Sequence, residues 1–250
     1  MSARALRLGG WWVLALLVAS GFALAGRWQL SRMHEKEVML AAAGRALDRA
    51  HPQPLLLASD PRRAQAYDWS EGTGTVLDAT LWLDAQQRAG RVGVRMYCVL
   101  LPDDGVQALL VDAGWWPLDG RRALPAAACA AGVGQAVRGL LAPPPATGLA
   151  HGDALTRQAD GRWLAPRLDL PAVAAAFGLK TGIAPRVLRL DPERRTGDAG
   201  LLAAPGTRDL DILPNTMTPE RHLGYAVQWF GLAVTVLVVA AVLTFRKKSP

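Results

Sequence analysis

Two charge-free apolar runs, one near each end, constrain this chain more than any other feature. The first extends from about Leu8 to Ala25 and the second from Ala226 to Phe245. Some 20 apolar residues cross the roughly 30 Å hydrocarbon core as a helix, so one transmembrane helix is expected near each terminus. A cleaved signal peptide competes for the first run, with Arg4 and Arg7 as its basic region and Ala23 and Ala25 near a cleavage site. Against cleavage stand the length of the run and the helix-favouring stretch Trp28 to Met33 that follows; an uncleaved anchor is expected. Arg246, Lys247 and Lys248 directly after the second run, and Arg4 and Arg7 before the first, place both termini in the cytoplasm by the positive-inside rule. Residues of about 30 to 220 then lie outside. About seven residues precede the first run, too few for an amphipathic transit leader. The expected setting is therefore a bacterial inner (plasma) membrane, with membrane lipid around both helices and a periplasmic middle.

Five segments follow: transmembrane helix 1 over 8–26, a helical extension over 27–50, a β-rich domain over 51–217, transmembrane helix 2 with an interfacial start over 218–245, and a basic tail over 246–250. His51-Pro52 ends the extension, since a residue before proline avoids the helical region. Beyond Trp69 short apolar runs alternate with turn residues. Thr80–Leu83, Gly93–Leu101, Gln107–Val111, Gln135–Leu141 and Ala184–Leu190 read as strands. Pro102 to Gly105 makes one antiparallel hairpin. A helix runs from Asp169 as N-cap to Phe177, with Gly178 at its end. Asp191 to Leu213 is an ordered loop or a tether. The fold class is a membrane α+β protein: two transmembrane helices flanking an antiparallel sheet or partly closed barrel.

The net charge of +7 comes mostly from arginines scattered singly, not from a basic run interleaved with aromatics, so no nucleic-acid partner is expected. Cys98 and Cys129 can pair in an oxidising periplasm or stay buried as free thiols; two cysteines do not decide between these. His34-Glu35 opens like a zinc-protease helix, but Val38 stands where the second histidine belongs. No nucleophile elbow, P-loop or dinucleotide fingerprint occurs, so no catalytic residue is nominated and no enzyme is expected. His222 stands apart. Thr218 can cap its helix and Pro219 suits the first position, which puts His222 in the opening turns, where the dipole favours the neutral imidazole that ligates metal. At 100° per residue Tyr225 and Trp229 fall near its face. Such a trio suits a flat, apolar, iron-bearing ligand such as haem; from the residues alone, an ordinary interfacial belt of aromatics with a solvated histidine is the favoured reading.

Three motifs carry a resemblance. Gly26-Arg27-Trp28-Gln29-Leu30-Ser31-Arg32, Leu110-Val111-Asp112-Ala113-Gly114-Trp115-Trp116-Pro117 and His222-Leu223-Gly224-Tyr225-Ala226-Val227-Gln228-Trp229-Phe230 resemble, in order, motifs of the Surfeit-locus (Surf-one) family of cytochrome c oxidase assembly factors. The resemblance implies a non-catalytic factor that binds haem a transiently and assists its insertion into oxidase subunit I, receiving it from haem A synthase. It implies His222 as ligand to the haem iron, with Trp28, Gln29, Arg32, Tyr225 and Trp229 around the haem. Arg32 or Arg221 would pair with a propionate, and Trp229 would pack on the ring or tail. Asp112-Ala113 replaces the family's Asn-Arg, so any role of that arginine is missing here. The alternative is a non-haem scaffold that stabilises oxidase assembly intermediates.

Overall fold

The computed structural model describes residues 3–47, 51–120, 123–146, 152–193, 206–213 and 216–246, with backbone alone for 3–7. In chain order the elements are helix α1 (Ala3–Ala46), strands β1 (Gln53–Pro54), β2 (Asp68–Arg88), β3 (Arg91–Pro102), β4 (Ala108–Pro117), β5 (Gly132–Ala142), β6 (Thr156–Arg157) and β7 (Trp163–Ala165), helix α2 (Leu170–Ala176), strand β8 (Ile183–Leu190) and helix α3 (Pro219–Phe245). They fall into two compact units, one drawn from residues 1–40 and 216–250 and the other from 41–215. Two candidate membrane helices near the termini thus flank a sheet-rich domain along the chain.

The first unit is an antiparallel pair made by α1 and α3. Both helices are long and apolar enough to cross a membrane, over Leu8–Ala46 and Pro219–Phe245, and most of each apolar stretch is uncovered by protein. The covered positions form a seam: Trp12, Ala15, Ala19, Phe22, Gly26 and Gln29 on α1, and His222, Ala226, Trp229, Ala233, Val236 and Ala240 on α3. Spacings of alternately three and four residues are those of left-handed knobs-into-holes packing. Trp12 Nε1 donates to Thr244 Oγ1 at 3.1 Å at one end of the seam. Pro219 occupies the first turn of α3 as expected. Thr218 sits at the N-cap, but its hydroxyl makes no cap bond and turns to the Glu220 carboxylate instead.

In the second unit β2, 21 residues long, organises the sheet. Its first part pairs with β5 and its second part with β3, both antiparallel. The order β3-β4-β8-β5-β2 returns to β3 through that second pairing, so the sheet is partly ring-like. It is mixed, not antiparallel throughout, because β8 comes in parallel to β4 after the crossover that carries α2. Side chains alternate faces. Met96, Cys98 and Leu100 of β3 join Trp82, Leu109, Val111 and Leu188 in one core. Tyr97 and Val99 join Leu110, Val187 and Val173 of α2 in another. Asp169 caps α2 by accepting from Ala172 N at 3.1 Å, and Gly178 follows with φ +66°.

Cys98 and Cys129 form a disulfide with Cα atoms 5.6 Å apart, tying β3 to the connection between β4 and β5. The expected loop over Asp191 to Leu213 is ordered where it is described: residues 206–213 lie as a strap on the sheet. Trp115 and Thr207 exchange backbone hydrogen bonds of 2.9 and 2.8 Å, while Leu210 and Ile212 pack on Trp69 and Leu140. Residues 194–205 of that loop, 48–50 of the expected helical extension and 247–250 of the basic tail lie outside the described residues.

Candidate functional site

Among the described histidines His222 has the most enclosed environment. His34 is exposed beside Glu37 at 3.8 Å, and His51 is exposed. His222 is 7% exposed and faces Gln29, itself 8% exposed. Gln29 Oε1 stands 2.6 Å from His222 Nδ1. A carbonyl oxygen can only accept, so Nδ1 carries the proton and donates. Nε2 makes no hydrogen bond among the described residues, yet it is not one of the sealed, unpartnered polar atoms found elsewhere.

Local packing fixes this pair. Ring carbons of Phe230 lie over Gly26, 2.9 Å from where a Cβ would sit, so the glycine admits the aromatic ring one helical turn from Gln29. Phe22 meets Trp229 with ring centroids 5.6 Å apart and planes tilted by 31°. Ala226, 1% exposed, fills the next seam position below His222. The pair therefore closes the end of the helix seam from which, along the chain, both helices lead to the central residues.

Of the residues singled out in the sequence, His222 and Gln29 are in direct contact. Trp229 is half-buried and committed to Phe22. Tyr225 and Trp28 are 46% and 58% exposed and point away from the seam. Arg32 is exposed and ion-paired with Glu35 at 2.5 Å, one turn along its own helix. Sequence reasoning quoted Gly26 and Phe230 without giving either a task. The glycine-to-ring contact joins residues 204 apart in number, and no local pattern announces such a pairing.

No group of three His, Cys, Asp or Glu residues that could cage a bare metal ion occurs among the described residues. A lone imidazole with a buried acceptor behind it suits a metal that brings its remaining ligands with it. A cavity of about 560 Å³ lies farther along the seam, among Leu8, Trp11, Trp12, Val236, Leu243 and Thr244. Its hydroxyls, on Thr235 and Thr244, each donate to a carbonyl of their own helix. That cavity is lined mostly by apolar side chains, and His222 is the better candidate.

The charged clusters of the sheet are structural. Asp112 accepts from Arg95 at 2.9 Å and lies 3.6 Å from Arg189. Its other oxygen accepts from Gly114 N at 3.0 Å. Gly114 has φ +120°, and a Cβ there would lie 2.9 Å from Gly206 of the strap. Asp209 of the strap completes the network with Arg88, Arg95 and Arg189 at 3.2, 3.0 and 2.8 Å. Burial pushes the Asp209 carboxyl up, but Arg95 and Arg189 outweigh it and hold the group below the usual carboxylate range. Tyr97, fully buried, has its phenol pushed up by burial and by Asp112 beside it. A second clasp joins Asp68 to Arg63 and Arg186. None of these groups lines an open cleft.

No curated protein matches this chain. The SURF1 family matches residues 16–234, a stretch that runs from within α1 to within α3 and takes in the whole described sheet. The chain belongs to the SURF1 family, a family of cytochrome c oxidase assembly factors.

Proposed function

We propose that this protein is a non-catalytic assembly factor that binds haem a through His222 and assists its insertion into subunit I of the oxidase, taking it from haem A synthase. The observation that carries this reading is the buried Gln29–His222 pair, which among the described residues leaves one imidazole nitrogen unengaged at the end of two candidate membrane helices. The donor set fits the group: a porphyrin would bring four nitrogens of its own, and the His222 imidazole would hold the iron. When bound, haem supplies an iron centre that needs such a ligand and apolar surface that needs covering. Gln29 orients the imidazole, Gly26 lets Phe230 close behind it, and Trp229 braces the seam through Phe22. Exposed Tyr225 and Trp28 offer aromatic surface at the membrane boundary. Arg221, exposed on α3 one residue before His222, is the stronger propionate candidate, because Arg32 already holds Glu35.

The setting belongs to the same reading: a bacterial inner membrane, both termini cytoplasmic and the sheet in the periplasm. The Cys98–Cys129 disulfide supports this placement, since such bonds persist in oxidising compartments. The test is the absorption spectrum of the purified full chain, co-expressed with haem A synthase, beside His222→Ala. A Soret and alpha band that vanishes or shifts in the variant is expected. Colourless wild-type protein from cells shown to make haem A would leave the scaffold as the better account.

A further inference from the structure

Resting on that haem reading, we propose that Gln29 is a positioning residue: it selects the tautomer of His222 that ligates through Nε2, and as a neutral acceptor it keeps that ligation weak enough to release. A neutral imidazole carries one N–H. With Oε1 of Gln29 2.6 Å from Nδ1, that hydrogen sits on Nδ1 and the lone pair on Nε2. Both residues are more than nine-tenths buried, so the Nδ1 contact with Gln29 is shielded from bulk water in the empty protein. Ligating histidines regularly donate their second N–H in this way, which fixes the ring and raises its basicity.

The chemistry of the acceptor matters as much as its position. A carboxylate at residue 29 would pull harder on the Nδ1 proton, giving the ring imidazolate character and a stronger bond to iron. The amide pulls less. A protein that must take a metal centre up and give it away needs an acceptor of this middle strength. The packed positions of α1 and α3 around His222, Gly26, Ala226 and Trp229, carry no charge.

The experiment compares the detergent-solubilised full chain with His222→Ala, Gln29→Leu and Gln29→Glu, each titrated with iron protoporphyrin. The readouts are affinity, the ferrous iron–histidine stretching band and the rate of transfer to apomyoglobin. Equal elution volumes and thermal transitions serve as the folding control. Gln29→Leu should bind about 10–100-fold more weakly, with a lower stretching frequency and faster transfer. Gln29→Glu should restore binding, raise the frequency above wild type and slow transfer. If Gln29→Leu matches wild type in all three while His222→Ala loses the band, the role of Gln29 is overturned and ligation by His222 stands. If His222→Ala and wild type give the same spectrum, the haem reading fails and this inference falls with it.

Discussion

Asp112 shows how a residue quoted in the sequence only as part of a motif can organise a sheet. In the structure it is 3% exposed, answers two arginines and shapes the turn at Gly114. Asp209, 97 residues away, shares both arginines. Asp209 and Asp68 are held below the usual carboxylate range; burial opposes this, and Arg95 with Arg189, and Arg186 with Arg63, outweigh it. A carboxylate lowered in the folded state contributes stability that is complete above its unfolded value near ~3.9 and is lost as pH falls through its folded value. The urea midpoint of the chain should therefore be level above about pH 5 and fall below about pH 4. Asp209→Asn should lower the level region and flatten the acid fall. A midpoint unchanged down to pH 3 would show that these pairs do not hold the strap.

At the scale of elements, the strands with regular alternation were legible: β3, β5 and β8 lie close to where the pattern puts them, and β4 starts there but runs past Val111 to Pro117. β2 was legible only around Thr80–Leu83. Its first half contains Gly72, Gly74 and Asp78, poor strand formers, and its register shifts twice, between Val76 and Thr80 and between Leu83 and Gln86. Pairing on both edges overrides those local preferences. The helix seam follows similar logic. Apolar length announces the two helices, but which faces meet depends on small residues at matching heights. Gly26→Val should force the Phe230 ring off α1, costing about 1–3 kcal/mol as overpacking does. The check is a lowered thermal midpoint of the helical circular dichroism in detergent, with Gly26→Ala falling between. An unchanged midpoint in both variants would mean the ring is not held against that backbone.

For the whole molecule the disulfide is the decisive link. It closes a segment with a sequence separation of 31, and constraining a loop of that order stabilises a domain by about 2–4 kcal/mol. Cys129→Ser should lower stability by that amount in denaturant titration. In intact cells the wild-type cysteines should resist alkylation until reduced and denatured. Ready alkylation of native, unreduced protein would remove the support for an oxidising compartment. Cys98 and Cys129 also mark a limit of sequence reading, since their spacing was equally compatible with two free thiols.

The sequence by itself determined the two membrane helices, the β-rich middle, the family and the prominence of His222. Each of these is written in local apolar runs, turn residues or short contiguous motifs. The tertiary structure decided the rest: the pairing of β2 with β5, the docking of the strap on β3 through Asp209, the pairing of the cysteines and the placing of Gln29 behind His222. These pairings join residues far apart in number, from 31 between the cysteines to 193 between Gln29 and His222. Local propensity carries no term for such a distance; only the register of packed surfaces selects one partner among many.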